Sequence, residues 1–316
     1  MSNKPVLAIG EILIDLIVSD DAPSLETANT FNARAGGAPA NVAVAVARLG
    51  LTAAFCGVTG DDPFGRRLRN LLVAEGVSVE PMREASGFPT TLAFAWKDRI
   101  GDGHFQLVRG ADRLLNAVDI EEAGIESAAA IVVGSVALSE EPARRAIEIA
   151  VETAKAAGVP VCLDLNVRPS LWSGSEALDD ALASIWSNVT LLKLSLDDAR
   201  LLYGSDQDAA TIFSWAHGYG IRHVVLTDGR RGCWYPDASG SPVHLPAFPI
   251  HSVEPTGAGD AFTAAIVSRL IANDWDGIRR EDAEFAAAAG AITATREGAI
   301  DSLPTRAEIA AFLAHV

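Results

Sequence analysis

Basic residues are in short supply in this chain. Lys and Arg number 25 against 41 Asp and Glu, leaving a formal net charge of −16 over 316 residues. Non-specific binding to nucleic acid or to an anionic membrane needs a basic face, and this balance argues against both. A small anionic ligand is not excluded, since local amides and a few arginines override the global field. Cysteine is scarce as well. Cys56, Cys162 and Cys233 are odd in number and far apart, which speaks against a zinc site or disulfide framework and for reduced thiols in a cytoplasmic protein. No apolar stretch approaches the roughly 18 residues of a membrane span, and the opening "MSNKPVLAIGEILIDLIV" alternates like a strand, unlike a signal peptide. The chain also lacks a Walker-type lysine loop, internal repeats, low-complexity tracts and any metal-like spacing of its histidines. No G-x-G-x-x-G follows the first apolar run, and Phe262 stands where a third glycine of a later match would fall. A dinucleotide-binding oxidoreductase is thereby disfavoured.

What is present is the material of a large core, with 49% of residues hydrophobic and 21% charged. "VLAIG", "AAFCGV", "AIVVGSVAL", "VPVCLDLN", "VTLLKLS" and "RHVVLTDG" read as buried strands ending in polar or glycine residues. Helical stretches such as "PANVAVAVARLG" and "FGRRLRNLLVAEG" alternate with them. That alternation predicts an α/β fold with a doubly wound, mostly parallel sheet and helices on both faces, a single domain over 1–316. Ligands in such folds bind at the carboxyl ends of strands. One region departs from the pattern: "TTLAFAWKD", "RIGDG" and "HFQLVRG" read as a hairpin with glycines at its tip. With the extended stretch around "SLETANTFNARAGG" it predicts a small β lid built from segments at about 12–36 and 90–110. Exposed lid strands often pair, so a homodimer through the lid is expected.

The stretch "HSVEPTGAGDAF" at 251–262 raises the main chemical question. It reads as a strand running into Gly257, Ala258 and Gly259, with the apolar run "AFTAAIVSRLIA" as the helix that follows. Two glycines let consecutive amide N–H groups close around an anion at a helix N-terminus. Asp260 in the same turn makes more sense if the site must also take a proton. Other strand ends carry polar clusters. "CLDLNVRPSLW" ends in Asp164, Asn166 and Arg168, where a doubly wound sheet would hold ligand; Arg168 suits phosphate oxygens and Trp172 suits packing. "LLKLSLDDARLLYG" places Lys193, Ser195, Asp197 and Asp198 at a strand-to-helix junction, one aspartate as a helix cap and the other to hold a magnesium-bound water. "GEILID" sets Asp15 in an apolar strand, either on a solvent-facing edge or in a cleft where it would accept hydrogen bonds from a polyol. "GGAPAN", Gly36 to Asn41, reads either as backbone open to a ligand with the Asn41 amide beside it, or, more plainly, as a loop ending in an N-cap asparagine. Gly229 and Gly232 in "LTDGRRGCWY" read as a hairpin turn.

Taken together, "GGAPANVAVAVARLG" and "EPTGAGDAF", with "DLNVRP" between them and "TREGAIDSLPT" after, resemble the PfkB-type (ribokinase-like) sugar kinases over essentially the whole chain. "GADRLL" and "LDLNVRPSLW" look most like the fructokinases among them. The resemblance implies transfer of the γ-phosphate of MgATP to a primary sugar hydroxyl, with fructose as the first choice. Acceptors such as 2-keto-3-deoxygluconate, ribose or a nucleoside are alternatives on the same fold, and a catalytically silent sugar or nucleotide sensor is the alternative of a different class. Asp260 would be the catalytic base and the amides of Gly257, Ala258 and Gly259 the anion hole. Asp15, Gly36, Gly37 and Asn41 would bind the sugar, and Thr227, Gly229 and Gly232 would line the nucleotide. A monovalent cation, K+, would lie between Val253 to Thr256 and Gly298 to Ser302, with Glu254 and Ser302 as its ligands. Beside these we assign Asp164, Asn166, Phe105 and Arg109 to the sugar and Lys193, Ser195 and Thr256 to the nucleotide. Three positions depart from the family pattern: Ala287 in place of an asparagine near the adenine, Ser195 to Asp198 in place of N-x-x-E, and Glu254, followed by Pro255, in place of an aspartate.

Overall fold

The computed structural model describes residues 4–20, 22–99 and 103–315. Strand β1 (Val6–Ile9) sends Val6 and Ala8 into one hydrophobic cluster and Leu7 and Ile9 into another, as a two-residue period must when both faces are buried. The chain then passes to β2 (Leu13–Val18) and β3 (Phe31–Gly36), enters helix α1 (Ala38–Arg48), and returns to the large sheet at β4 (Ala53–Gly60). Helix α2 (Pro63–Ala74), the short strands β5 (Val77–Ser78) and β6 (Met82–Ala85), and the pair β7 (Leu92–Lys97) and β8 (Gly103–Val108) follow. From α3 (Ala117–Glu121) onward strands and helices alternate: β9 (Ala130–Gly134), α4 (Ala143–Ala156), β10 (Val161–Asp164), α5 (Ser175–Ala183), β11 (Leu191–Ser195), α6 (Leu196–Tyr203), α7 (Ala209–Gly218) and β12 (His223–Thr227). The hairpin strands β13 (Cys233–Pro236) and β14 (Pro242–Leu245) precede the last helices, α8 (Ala258–Ala272), α9 (Arg280–Ala294) and α10 (Arg306–Leu313).

Across the large sheet the order is β14-β13-β12-β11-β10-β9-β1-β4-β5, with β6 also on β4. Pairing is parallel except at β12–β13 and β13–β14. Helices α1, α2, α8, α9 and α10 cover one face, and α3 to α7 the other. β1 has β4 on one side and β9 on the other, so the chain order reverses beside it. That is where an open α/β sheet leaves a crevice at its strand ends.

The segments expected to form a small sheet do so. β3-β2-β7-β8 is four-stranded, with β2 and β7 parallel and the outer pairs antiparallel. The expected hairpin tip falls on Ile100, Gly101 and Asp102, outside the described residues. The chain passes between the two sheets four times: β1 to β2, β3 to α1, β6 to β7, and after β8. Those passages are stitched together by Ile14 N–H to the Thr91 carbonyl at 3.1 Å and Ala111 N–H to the Pro89 carbonyl at 2.8 Å.

One sequence expectation fails here. Residues 246–257 are irregular, and no strand runs into Gly257. Pro246, Pro249 and Pro255 each remove a backbone donor, which keeps this stretch out of a ladder. Cys56, Cys162 and Cys233 are buried and unpaired. Among the described residues no helix is long and apolar enough to cross a membrane.

Candidate active site

The strand ends after β1, β9 and β10, Lys193 of β11, the first turns of α1 and α8, and the small sheet enclose a cleft of about 510 Å³. A larger, more open hollow of about 710 Å³, lined by His217, Arg222, His223 and Arg280 among others, shares no residue with it.

Helix α8 begins abruptly. Gly257, at φ 82°, is its N-cap, and no side chain caps the turn. Any other residue would be strained at that φ, and its β-carbon would lie 3.1 Å from Ala299 Cα. Ala258 N–H turns back to the Pro255 carbonyl at 3.1 Å, whereas the N–H groups of Gly257, Gly259 and Asp260 meet no acceptor among the described residues. The amides free for an anion are therefore these three. Ala258 drops out of the expected set because the turn that Pro255 opens takes its N–H.

Lys193 stands beside this turn. A β-carbon on Gly259 would sit 2.9 Å from Lys193 Nζ. The ammonium donates to Asp164 Oδ1 at 3.0 Å and Oδ2 at 3.3 Å, and Asp164 Oδ2 also accepts from Thr263 Oγ1 at 2.6 Å. Burial alone would lower the pKa of this ammonium, but Asp164, Asp198 and Asp260 hold it above its usual value. Asp164 is not on the cleft wall. Its expected contact with the sugar is corrected to that of a buried counter-ion behind Lys193, because both its oxygens already face protein donors.

Asp260, in the first turn of α8, is 7% exposed, and its Oδ2 accepts from Asn41 Nδ2 at 2.7 Å. Burial, followed by the charge of Asp164, pushes its carboxyl up to about 6, against the opposing pull of Asn41, Lys193 and Arg168. Asn41 is not an N-cap. Pro39 sets the start of α1 one turn earlier, with Gly37 as its N-cap, so Asn41 lies inside the helix with its Oδ1 lacking a protein partner.

Gly36 and Gly37 lie where the backbone is crowded. A β-carbon at Gly37 would come within 2.6 Å of the Glu11 carbonyl oxygen, and one at Gly36 would land on the Asp15 carboxylate. Asp15 lines the cleft, half-buried; burial raises its carboxyl to about 7 despite Arg168, with Glu254 and Asp260 adding to the rise. We expect Gly36→Ala, at an ordinary φ, to leave the urea midpoint nearly unchanged while displacing Asp15 and raising the KM of the acceptor by roughly tenfold or more. An acceptor KM within twofold of the parent would remove Asp15 from the binding set.

Sequence reasoning passed over Glu11, although it stood at a strand end in the same "GEILID" stretch. It lines the cleft at 5% exposure, and its Oε1 accepts from Ala38 N at 3.2 Å. Burial pushes its carboxyl up to about 7. The signal was an acid one glycine after a wholly apolar strand, where ligand groups collect.

Arg168 and Asn166 also line the cleft. Arg168 Nη1 donates to Asn166 Oδ1 at 2.5 Å, and its guanidinium lies 5.5 Å from the ring centre of Phe105 on β8. Arg109, expected beside Phe105 at the sugar, is not brought to the cleft. Its guanidinium binds Asp112 Oδ2 at 2.5 Å and Ser139 Oγ at 2.9 Å, because an aspartate three residues on captures it locally. Ser195 caps α6, and Asp198 closes the capping box from the third position, accepting from Ser195 N, Ser195 Oγ and Val167 N at 2.7–2.8 Å. Asp198 is thus the capping aspartate, and Asp197 is exposed and paired with Arg200. A magnesium-bound water at Asp198 would share its oxygens with these donors. Ser195 and Thr227 end β11 and β12, and Gly229 and Gly232 follow β12; none of the four is among the residues that line the cleft, whereas Thr256 lines it. Glu254 Oε2 accepts from Gly298 N at 2.9 Å, bringing together the two segments expected around a monovalent cation, while Ser302 Oγ donates to the Ala299 carbonyl. Ala287, half-buried on α9, offers no polar group.

Comparison with known proteins is consistent along the chain. The sequence profile described as pfkB family carbohydrate kinase matches residues 3–306. Fructokinase-1 of Zea mays is 38% identical over 315 residues, covering 96% of both chains. Among solved structures, a ribokinase II from E. coli in complex with ATP and Mg2+ is 25% identical with a TM-score of 0.89, covering 99% of this chain and 100% of that one. A double mutant of the fructokinase of Vibrio cholerae O395, with fructose, ADP and a potassium ion bound, is 29% identical with a TM-score of 0.84 over 99% of both chains.

Proposed function

The chain belongs to the pfkB family of carbohydrate kinases, ATP-dependent phosphotransferases acting on a sugar hydroxyl, and we propose that its acceptor is fructose and that Asp260 is the base. One observation carries the reading. A buried carboxylate with a raised pKa shares its helix turn with three unengaged amides, and the polar side chains of Asn41 on α1 and Asp15 on β2 line the same cleft.

The chemistry follows from that placement. Asp260 accepts the proton of a primary sugar hydroxyl as its oxygen attacks phosphorus in line. The N–H groups of Gly257 and Gly259, fixed by the helix start, stabilise charge on the phosphoryl oxygens without reorganising, and losing one such donor costs about 3 to 4 kcal/mol. Lys193 and Arg168 add positive charge, and the Asn41 amide holds Asp260 in place. Among the described residues no group of three or more His, Cys, Asp or Glu stands ready to hold a metal ion. Magnesium keeps most of its waters and takes its other ligands from substrate phosphates, so one nearby carboxylate suffices for it. Bound with the nucleotide it supplies charge neutralisation, and Asp198 is the acid we assign to one of its waters. The segments joined by Glu254 and Gly298 are our proposal for a monovalent-cation site. The small sheet acts as a lid that excludes water when sugar is bound.

The test is ADP release from MgATP with fructose, ribose, 2-keto-3-deoxygluconate, glucose and adenosine. Fructose is expected to give a kcat/KM at least about tenfold above the others. A higher value for any other member would replace fructose while keeping the base.

A further inference from the structure

We infer that Glu11 is a third carboxyl of the sugar subsite, whose unpartnered Oε2 binds an acceptor hydroxyl and makes the cleft select neutral sugars over sugar acids. The inference rests on the kinase reading above and goes beyond it to the kind of sugar admitted.

The geometry is specific. Glu11 stands one residue beyond β1, lines the cleft, and is 5% exposed. Oε1 is held by Ala38 N–H at 3.2 Å, which fixes the side chain against the first turn of α1. Oε2 has no hydrogen-bond partner in the protein. Three residues along from Ala38, Asn41 Oδ1 also lacks one. Leaving a buried acceptor unpaired costs free energy that a native fold rarely tolerates without a reason. Two such acceptors on one wall of one cleft ask for a ligand that is rich in donors, and a polyol is such a ligand.

The charges around Glu11 argue for the selectivity. From the loop after β8 it meets Asp112 and Arg109, which neutralise each other at 2.5 Å. From the loop after β10 it meets Arg168, whose guanidinium, held at Asn166 and Phe105, also reaches Asp15 and Asp260 with its charge, so that this one cation faces three carboxyls. Asp15 of β2 and Asp260 of α8 line the same cleft. Lys193, the other cation there, is held by Asp164. The wall built on α1, β1 and β2 is therefore acidic. A sugar carboxylate laid on it faces like charges, and a neutral hydroxyl does not. Burial holds Glu11 near 7, so at pH 8 it is mainly the charged acceptor.

Glu11→Gln separates the roles, since its amide oxygen can still accept from Ala38 N–H while the Nε2 donor replaces Oε2. At pH 8, calorimetric titration with fructose is expected to show binding about tenfold weaker, with kcat at saturating fructose falling less than about threefold. The preference for fructose over 2-keto-3-deoxygluconate, as a ratio of kcat/KM, is expected to shrink by about tenfold. Glu11→Asp, which keeps the charge but withdraws the oxygen, should weaken fructose binding and still reject the acid. Fructose binding and preference both unchanged in Glu11→Gln would overturn the assignment. If that variant fails to fold, unchanged fructose binding in Glu11→Asp overturns it instead. A parent chain that binds fructose with this dependence on Glu11 yet releases no ADP would refute the kinase reading and leave Glu11 standing.

Discussion

Asp260→Asn folds, binds nucleotide, and turns over roughly 10³- to 10⁴-fold more slowly than the parent. The expectation follows from how the carboxyl is held. Asn41 Nδ2 donates to it at 2.7 Å, and an asparagine can present its oxygen to the same donor, so the local packing survives. What is lost is the only group in the turn that can take a proton. The pH dependence has a definite sign. A base must be ionised, and in the free protein the carboxyl sits at about 6, so kcat/KM should hold above that value and fall about tenfold per unit below it. Stability should move the other way. A carboxyl whose folded pKa is raised holds a proton that the unfolded chain has released, so the fold loses stability as pH climbs from about 4 to about 6 and the full penalty remains above that window. The Asn variant escapes this penalty and should be at least as stable as the parent at pH 8. Near-normal turnover in Asp260→Asn, or a parent profile flat down to pH 5, would sink the base assignment.

Lys193→Met should be the most damaging change to the fold. Lys193 and Asp164 are 5% and 4% exposed, and the pair is closed by Thr263. Removing one partner leaves a buried charge unanswered, which costs about 3 to 5 kcal/mol and should show as a large fall in the urea midpoint. The double variant Lys193→Met with Asp164→Asn removes the stranded charge, and should recover at least half of that loss. It should not recover nucleotide affinity, because the ammonium beside Gly259 is still missing. A double variant with the parent's KM for ATP would make Lys193 purely structural.

The large sheet was legible because each buried strand is a short aliphatic run closed by glycine or a polar residue, a pattern set by local chemistry. The small sheet was legible for the opposite reason, as a break in that rhythm at "TTLAFAWKD" and "HFQLVRG". Asp260 and its glycines were visible because two glycines and an acid at a helix start are neighbours in sequence. What escaped depends on contacts that sequence spacing does not reveal. Asn41 looked like a cap, and its partner Asp260 lies 219 residues away. Asp164 looked like a ligand group, and only the sheet register that pairs it with Lys193 makes it a counter-ion. Glu11 reaches Ala38 across 27 residues. The misplacement of Arg109 was avoidable, since Asp112 in "GADRLL" was near enough to claim it.

The four chain passages between the sheets have a mechanical consequence. A body hung on one strand can swing in any direction, but one hung on four stitched strands can only bend about the line that joins them. Glu11 and Gly37 lie on that line and Asp15 is on the strand just beyond it, so bending leaves these three residues almost where they were. Phe105 is on the outermost strand, two strands away from β2, and the same few degrees carry its ring much farther. The fulcrum thus keeps Glu11, Gly37 and Asp15 nearly still, and the long arm carries Phe105 through the larger arc.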